Sequence, residues 1–200
     1  MTTITPDQHK IIDAALKRFR KFGHENTTMA QIAKDLGYSR TFLYYYFPDK
    51  ESIFKLALIR SADNYFASIE NELKKKITGI KMFENAIRTK ISCSIDFHIL
   101  GVYTDDTLYK MLLTDPELQH IVTDEQKLLS KIILKGKKDG TIVKCDPDKT
   151  VWYIRDALNG YTSFSLRRMS VLGKVAKKDI DSLFKRQLEF GLMLVQAIKA

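Results

Sequence analysis

Each of the four prolines in this 200-residue chain is followed directly by an acid: Pro6-Asp7, Pro48-Asp49, Pro116-Glu117 and Pro147-Asp148. Proline is tolerated in the first turn of a helix, where its missing N–H is no loss. Acids favour the same turn because the helix dipole presents positive charge there. All four dipeptides therefore mark helix starts, with Asp49 placed to act as a cap. The glycines complement them. Gly23, Gly37, Gly79, Gly101, Gly140 and Gly173 each follow a helix-periodic segment, where a C-terminal stop belongs, whereas Gly136, Gly160 and Gly191 fall inside such segments. Strand signals are nearly absent. Only Thr141-Ile142-Val143 is β-like, and it is too short to found a sheet.

The chain is thus expected to be all-α, with about nine helices near 6–22, 29–36, 40–46, 50–77, 81–99, 107–113, 116–138, 148–170 and 177–199. Thr5 with Gln8, and Thr28 with Gln31, have the capping-box pattern at the first two starts. Met29, Ile32, Ala33 and Leu36 recur at helical spacing and give the second helix one apolar face. No internal repeat or low-complexity tract interrupts the pattern.

Net charge is +9 and the pI about 9.4, a balance that favours a polyanionic partner without naming it. The charge is spread along the chain, so there is no basic tail. Cys93 and Cys145 are far apart and have no ligand-like neighbours, which points to a reducing cytoplasm rather than a disulfide scaffold. The opening MTTITPDQHK has no apolar core of a secretory signal, and no apolar run is long enough to span a bilayer. A cytoplasmic protein without membrane association is expected.

The segment Ser39-Arg-Thr-Phe-Leu-Tyr-Tyr-Tyr-Phe47 holds more aromatic rings than a short helix can bury. It follows a short helix and the turn Leu36-Gly37-Tyr38-Ser39, a glycine stop and then a serine cap, which is helix-turn-helix grammar. Helical phase sends Leu43 and Phe47 to the core and leaves Phe42 and Tyr46 partly buried. Arg40, Thr41, Tyr44 and Tyr45 then face outward. In a helix-turn-helix the second helix enters the major groove with its N-terminal residues at base edges. A tyrosine hydroxyl can donate to a phosphate oxygen, and Arg40 can either bond guanine O6 and N7 or clamp a phosphate. Lys50 and Thr28, each at the start of a helix, sit where backbone N–H groups and the side chain both favour a phosphate.

The run Thr28-x3-Ile32-Ala33-x3-Gly37-x-Ser39-x3-Leu43-Tyr44-x2-Phe47-x2-Lys50-Glu51 resembles the N-terminal module of TetR-family transcriptional regulators. The upstream stretch from Ile12 through Phe19 to Gly23 resembles that module's first helix. Thr41 and Phe42 depart from the family, which often has small residues at those places. The resemblance implies a DNA-binding helix-turn-helix domain over 1–49 and an effector-binding, dimerising domain over 50–200. It implies double-stranded DNA, a small-molecule effector and a second copy of the chain as partners, and no cofactor. The DNA contacts implied are Thr28, Ser39, Arg40, Thr41, Tyr44, Tyr45 and Lys50.

A dimer that reads DNA needs an interface. The last helix carries Phe184, Leu188, Gly191, Val195 and Ile198 along one seam and further apolar residues on a neighbouring face, so it is expected to be buried on two sides. The helix before it has Ala157 and Gly160 between Tyr153 and Phe164, small residues that admit a close partner helix. Two such helices from each subunit would form a four-helix interface. For the effector pocket, the expected polar groups are Ser92 and Asp96, followed by Tyr103 and Met111, with Trp152, Asn159 and Ser163 sharing one face of the penultimate helix.

No catalytic or metal site is expected. His9, His24, His98 and His120 show no paired-ligand spacing, and Cys93, Asp96 and His98 spread in different directions around a helix. The resulting expectation is a ligand-responsive homodimeric repressor released from a palindromic operator by a small molecule. The alternative of another class is a partner-binding or chromosome-organising DNA-binding protein on the same scaffold, without an effector.

Overall fold

The computed structural model describes residues 4–99, 106–171 and 176–200. Its helices are α1 (Pro6–Phe22), α2 (Met29–Leu36), α3 (Arg40–Tyr46), α4 (Lys50–Leu73), α5 (Gly79–Ile99), α6 (Asp106–Thr114), α7 (Pro116–Lys138), α8 (Pro147–Val171) and α9 (Lys177–Gln196). Among the described residues there is no strand, only an isolated antiparallel bridge from Ile142 to Lys199. No described helix is long and apolar enough to cross a membrane.

The helix starts follow the local chemistry. Both capping boxes form: the Thr5 and Thr28 hydroxyls accept from the N–H of Gln8 and Gln31, and the glutamine side chains accept from the threonine N–H in return. Ser39 caps α3 through the N–H of Phe42, and Asp49 caps α4 through that of Ser52. Gly37 ends α2 in the left-handed conformation at φ 68°, which side chains with a Cβ rarely adopt.

Two departures concern the joint between α4 and α5. α4 stops at Leu73 rather than near 77, and Gly79 begins α5 instead of ending α4. The cause is tertiary. The N–H of Gly79 donates to Asp139 Oδ2 and that of Ile80 to Thr141 Oγ1, so residues just past α7 cap the start of α5. Here the two helices nearly touch: a Cβ on Gly79 would lie 2.2 Å from the backbone of Gly136. Of the other stops expected, Gly101 and Gly173 lie outside the described residues.

Two hydrophobic cores result. The first joins α1–α3 with the first half of α4, from Ile53 to Ala62, and also takes in Leu108 of α6 and Leu118 and Ile121 of α7. The second is built by the rest of α4 with α5, α7, α8 and α9, around Ile69, Phe83, Ile87, Ile132, Leu158 and Val195. α4 and α7 run through both. Ion pairs fasten the first core from outside: Arg18 to Asp35, Arg60 to Asp13, and Lys55 of α4 to Asp115 and Glu117 at the start of α7.

Candidate nucleic-acid interface and internal cavity

Helical phase in α3 sorts the aromatic run. Leu43 and Phe47 are buried. Phe42 and Tyr46 are half-buried, Phe42 edge-on between Tyr38 and Tyr46, while the Tyr46 hydroxyl donates to Asp7 of α1. Desolvation, the Asp7 charge and that hydrogen bond push the Tyr46 phenol above its usual value. On the outer side Tyr44 is 52 % and Tyr45 82 % exposed, with Arg40 and Thr41 exposed beside them. Leaving such rings exposed has no folding rationale, and a flat donor-bearing face is what a duplex backbone can use.

Thr28 and Ser39 are exposed at the N-termini of α2 and α3. Their hydroxyl oxygens are occupied by the capping bonds, which leaves the O–H as a donor. Lys50 is half-buried, and its ammonium donates to the carbonyl of His24 at 2.9 Å. That bond ties the start of α4 to the turn between α1 and α2. His24 is buried between the rings of Phe19 and Phe54, with Nε2 3.9 Å from Glu51. The seven residues expected to meet DNA therefore all lie in α2, α3 and their flanking turns or at the start of α4.

Between the two cores lies a cavity of about 130 Å³, lined from five helices. Ala62, Tyr65 and Phe66 come from α4, Lys90, Cys93 and Ser94 from α5, and Leu112 and Leu113 from α6. Ile121, Val122 and Glu125 come from α7, and Asn159 and Ser163 from α8. Lys90 and Glu125 form a buried ion pair at 2.8 Å, and the Tyr65 hydroxyl donates to the same Glu125 oxygen at 3.0 Å. Burial, then the Glu125 charge, pushes the Tyr65 phenol well above its usual value, so it stays protonated and donating.

Of the pocket residues expected from sequence, Asn159 and Ser163 line this cavity. The others do not. Ser92 is exposed, since two residues beyond Lys90 lies nearly on the opposite side of α5. Met111 packs against the first core, one position away from the cavity-lining Leu112. Trp152 shares a face with Asn159 but stands two turns earlier in α8, where it lines a surface cleft with Val122, Gln126 and Arg155. Tyr103 and the side chain of Asp96 lie outside the described residues. Lys90, Glu125 and Tyr65 were missed, although each interrupts or extends an apolar stripe: Lys90 falls three residues after Ile87, and Glu125 four after Ile121. A charge at a core position was the available signal.

The residues of the expected interface seam on α9 pack largely into the chain's own core. Phe184, Gly191 and Val195 are buried within the chain's own second core, and Leu188 and Ile198 pack against it. A Cβ on Gly191 would lie 2.7 Å from Ile87, so this glycine admits α5, not a partner. The stripe on α8 is different. Tyr153 is exposed, Phe164 is 69 % exposed, and a Cβ on Gly160 would meet open space. Ala157 is half-buried among them, and Val171 and Met193 extend the exposed apolar surface.

Residues 11–57 match the model for bacterial regulatory proteins of the tetR family. Over 181 residues the chain is 26 % identical to the HTH-type transcriptional regulator RutR of Escherichia coli K12, covering 88 % of this chain and 84 % of that protein. Its fold is similar to that of a transcriptional regulator from Cytophaga hutchinsonii, with a TM-score of 0.82 at 22 % identity over 98 % of this chain and 100 % of that one. It is also similar to the fatty acid degradation regulator FadR from Bacillus halodurans, with a TM-score of 0.71 at 18 % identity over 96 % and 97 %.

Proposed function

We propose, from the match of residues 11–57 to the tetR-family model and the similarity to RutR, that the chain is a transcriptional regulator of the tetR family and a homodimeric repressor which a small molecule releases from a palindromic operator. Residues 1–49 form the DNA-reading module and 50–200 the effector-binding and dimerising domain. α3 enters the major groove. Tyr44 and Lys50 hold phosphates together with Thr28 and Ser39, while Arg40, Thr41 and Tyr45 face the base edges. The exposed α8 stripe of Tyr153, Ala157, Gly160 and Phe164 meets its counterpart in a second copy. Phe184, Gly191 and Val195 support that surface from behind.

One observation carries the effector reading. Ala62 and Ile121 belong to the core beneath the helix-turn-helix and also line the cavity. A molecule occupying the cavity therefore pushes on the packing that fixes α4, which begins at Lys50. The two recognition helices of a dimer must match about one turn of DNA, ~34–36 Å. A ligand that favours the wrong separation by ~1–3 kcal/mol is sufficient to act as an inducer. The test is titration of operator DNA, followed by fluorescence anisotropy, before and after adding small molecules extracted from the purified protein. Release from the operator is expected. If no extracted or screened compound changes operator affinity, the partner-binding or chromosome-organising function replaces this one.

A further inference from the structure

The polar corner of the cavity restricts its occupant more than the apolar walls do, given the reading above that this cavity is the effector site. Glu125 Oε1 accepts hydrogen bonds from both Lys90 and Tyr65. Among the described residues its other oxygen accepts no hydrogen bond, and the Lys90 ammonium donates only to Oε1. Both side chains are buried and line the cavity, so an acceptor and a donor with bonds to spare belong to its wall.

Charge narrows the class. The formal charges of Lys90 and Glu125 cancel in place, and among the described residues the rest of the lining carries none. An ionic guest would find no counter-charge unless it prised the pair apart, which strands a buried charge. A wholly apolar guest would cover the spare donor and acceptor without bonding them. Size narrows it further: about 130 Å³ is close to the ~150 Å³ cavity that accommodates a benzene ring.

We propose that the cavity takes a small uncharged molecule of single-ring size carrying an amide-type edge. Its N–H donates to Glu125 Oε2, its neighbouring C=O accepts from Lys90, and its apolar remainder lies against Phe66, Leu112 and Ile121. Tyr65 stands on α4 and shares the Glu125 carboxylate, so the same contact bears on the helix that leads to the DNA-reading module.

The full-length protein is tested with 2-pyridone and δ-valerolactam against benzoate, benzylamine and toluene, by thermal shift and calorimetry. The two amides are expected to raise the melting temperature and to bind roughly tenfold tighter than the other three, since only they satisfy both polar groups. Lys90→Met combined with Glu125→Leu replaces the pair as a unit and keeps the fold. It should abolish the preference. Ala62→Leu fills the cavity and should abolish binding. If benzoate or benzylamine binds best, and Ala62→Leu removes that binding, the effector site stands but the uncharged class is wrong. If toluene matches 2-pyridone, and the double variant changes neither, the polar corner reads nothing and the proposal fails. Absence of binding by every probe also overturns it. If, in addition, Ala62→Leu leaves every operator response intact, the effector reading fails with it.

Discussion

Lys50 is placed for two tasks: its ammonium holds the His24 carbonyl, and it stands at the start of α4, after α3, the helix proposed to read DNA. Lys50→Ala is therefore expected to weaken binding to all DNA sequences alike and to flatten the dependence on salt. Arg40→Ala, if Arg40 reads guanine, is expected to relax preference at one base pair per half-site by ~1–3 kcal/mol. Anisotropy titrations over a panel of altered operators separate the two, and uniform weakening by both would make Arg40 a phosphate clamp. Val195 tests another residue-scale point. It is fully buried, so Val195→Arg places an unpaired charge in the second core, and a loss of stability of about 4 kcal/mol or more is expected by chemical denaturation. A change confined to the monomer–dimer balance would contradict its placement. Lys90 and Glu125 show why single positions were harder to read than helices. Each is unremarkable by composition, and only the tertiary meeting of α5 with α7 makes them partners.

At the scale of elements, α8 is the helix whose exposed face lacks a folding explanation. Phe164→Glu changes an exposed position, so the protomer should keep its helical circular dichroism and lose less than about 0.5 kcal/mol of its own stability. The dimer should dissociate and operator binding fall with it. Analytical ultracentrifugation decides, and a variant still dimeric at micromolar concentration would move the interface elsewhere. Most element starts were legible because caps are local: Thr5, Thr28, Ser39 and Asp49 all accept the expected N–H. The end of α4 was not. No glycine or proline stands at Leu73, and the chain leaves the helix through tight bonds from Lys74 to Asn71 and Lys75 to Glu72. α9 shows a related limit. Two apolar faces were rightly expected to be buried, but sequence does not say that α5 and α8 of the same chain cover them.

Across the whole molecule, acid should act on the polar ties at the two ends of α7, to α4 through Asp115 and to α5 through Asp139. Burial alone would raise the Asp115 carboxyl, but bonds from Lys55 and from the N–H groups of Glu117 and Leu118 outweigh it and hold it below the ordinary range. Asp139 is also net lowered: burial raises it, but bonds from Thr141 and the N–H of Gly79 prevail. A carboxylate depressed in the folded state contributes stability above its unfolded value, and loses it as pH falls through the folded one. Stability is thus expected to decline below about pH 4. Asp115→Asn should reduce that decline while lowering stability near neutrality by ~1 kcal/mol, as urea melts across pH would show. The all-α class and the helix-turn-helix were legible because both rest on short-range pattern, whereas the cavity draws two or three residues from each of five helices. The sharing of α4 and α7 between the cores bears on grafting. A chimera cut after residue 49 would split the first core, parting Ile53 through Ala62, Leu108, Leu118 and Ile121 from the buried residues of α1, α2 and α3. A transplantable reading head must carry those positions with it, so recombination among such regulators should succeed when α4 and the facing turns of α6 and α7 are exchanged together, and yield insoluble chains when they are not.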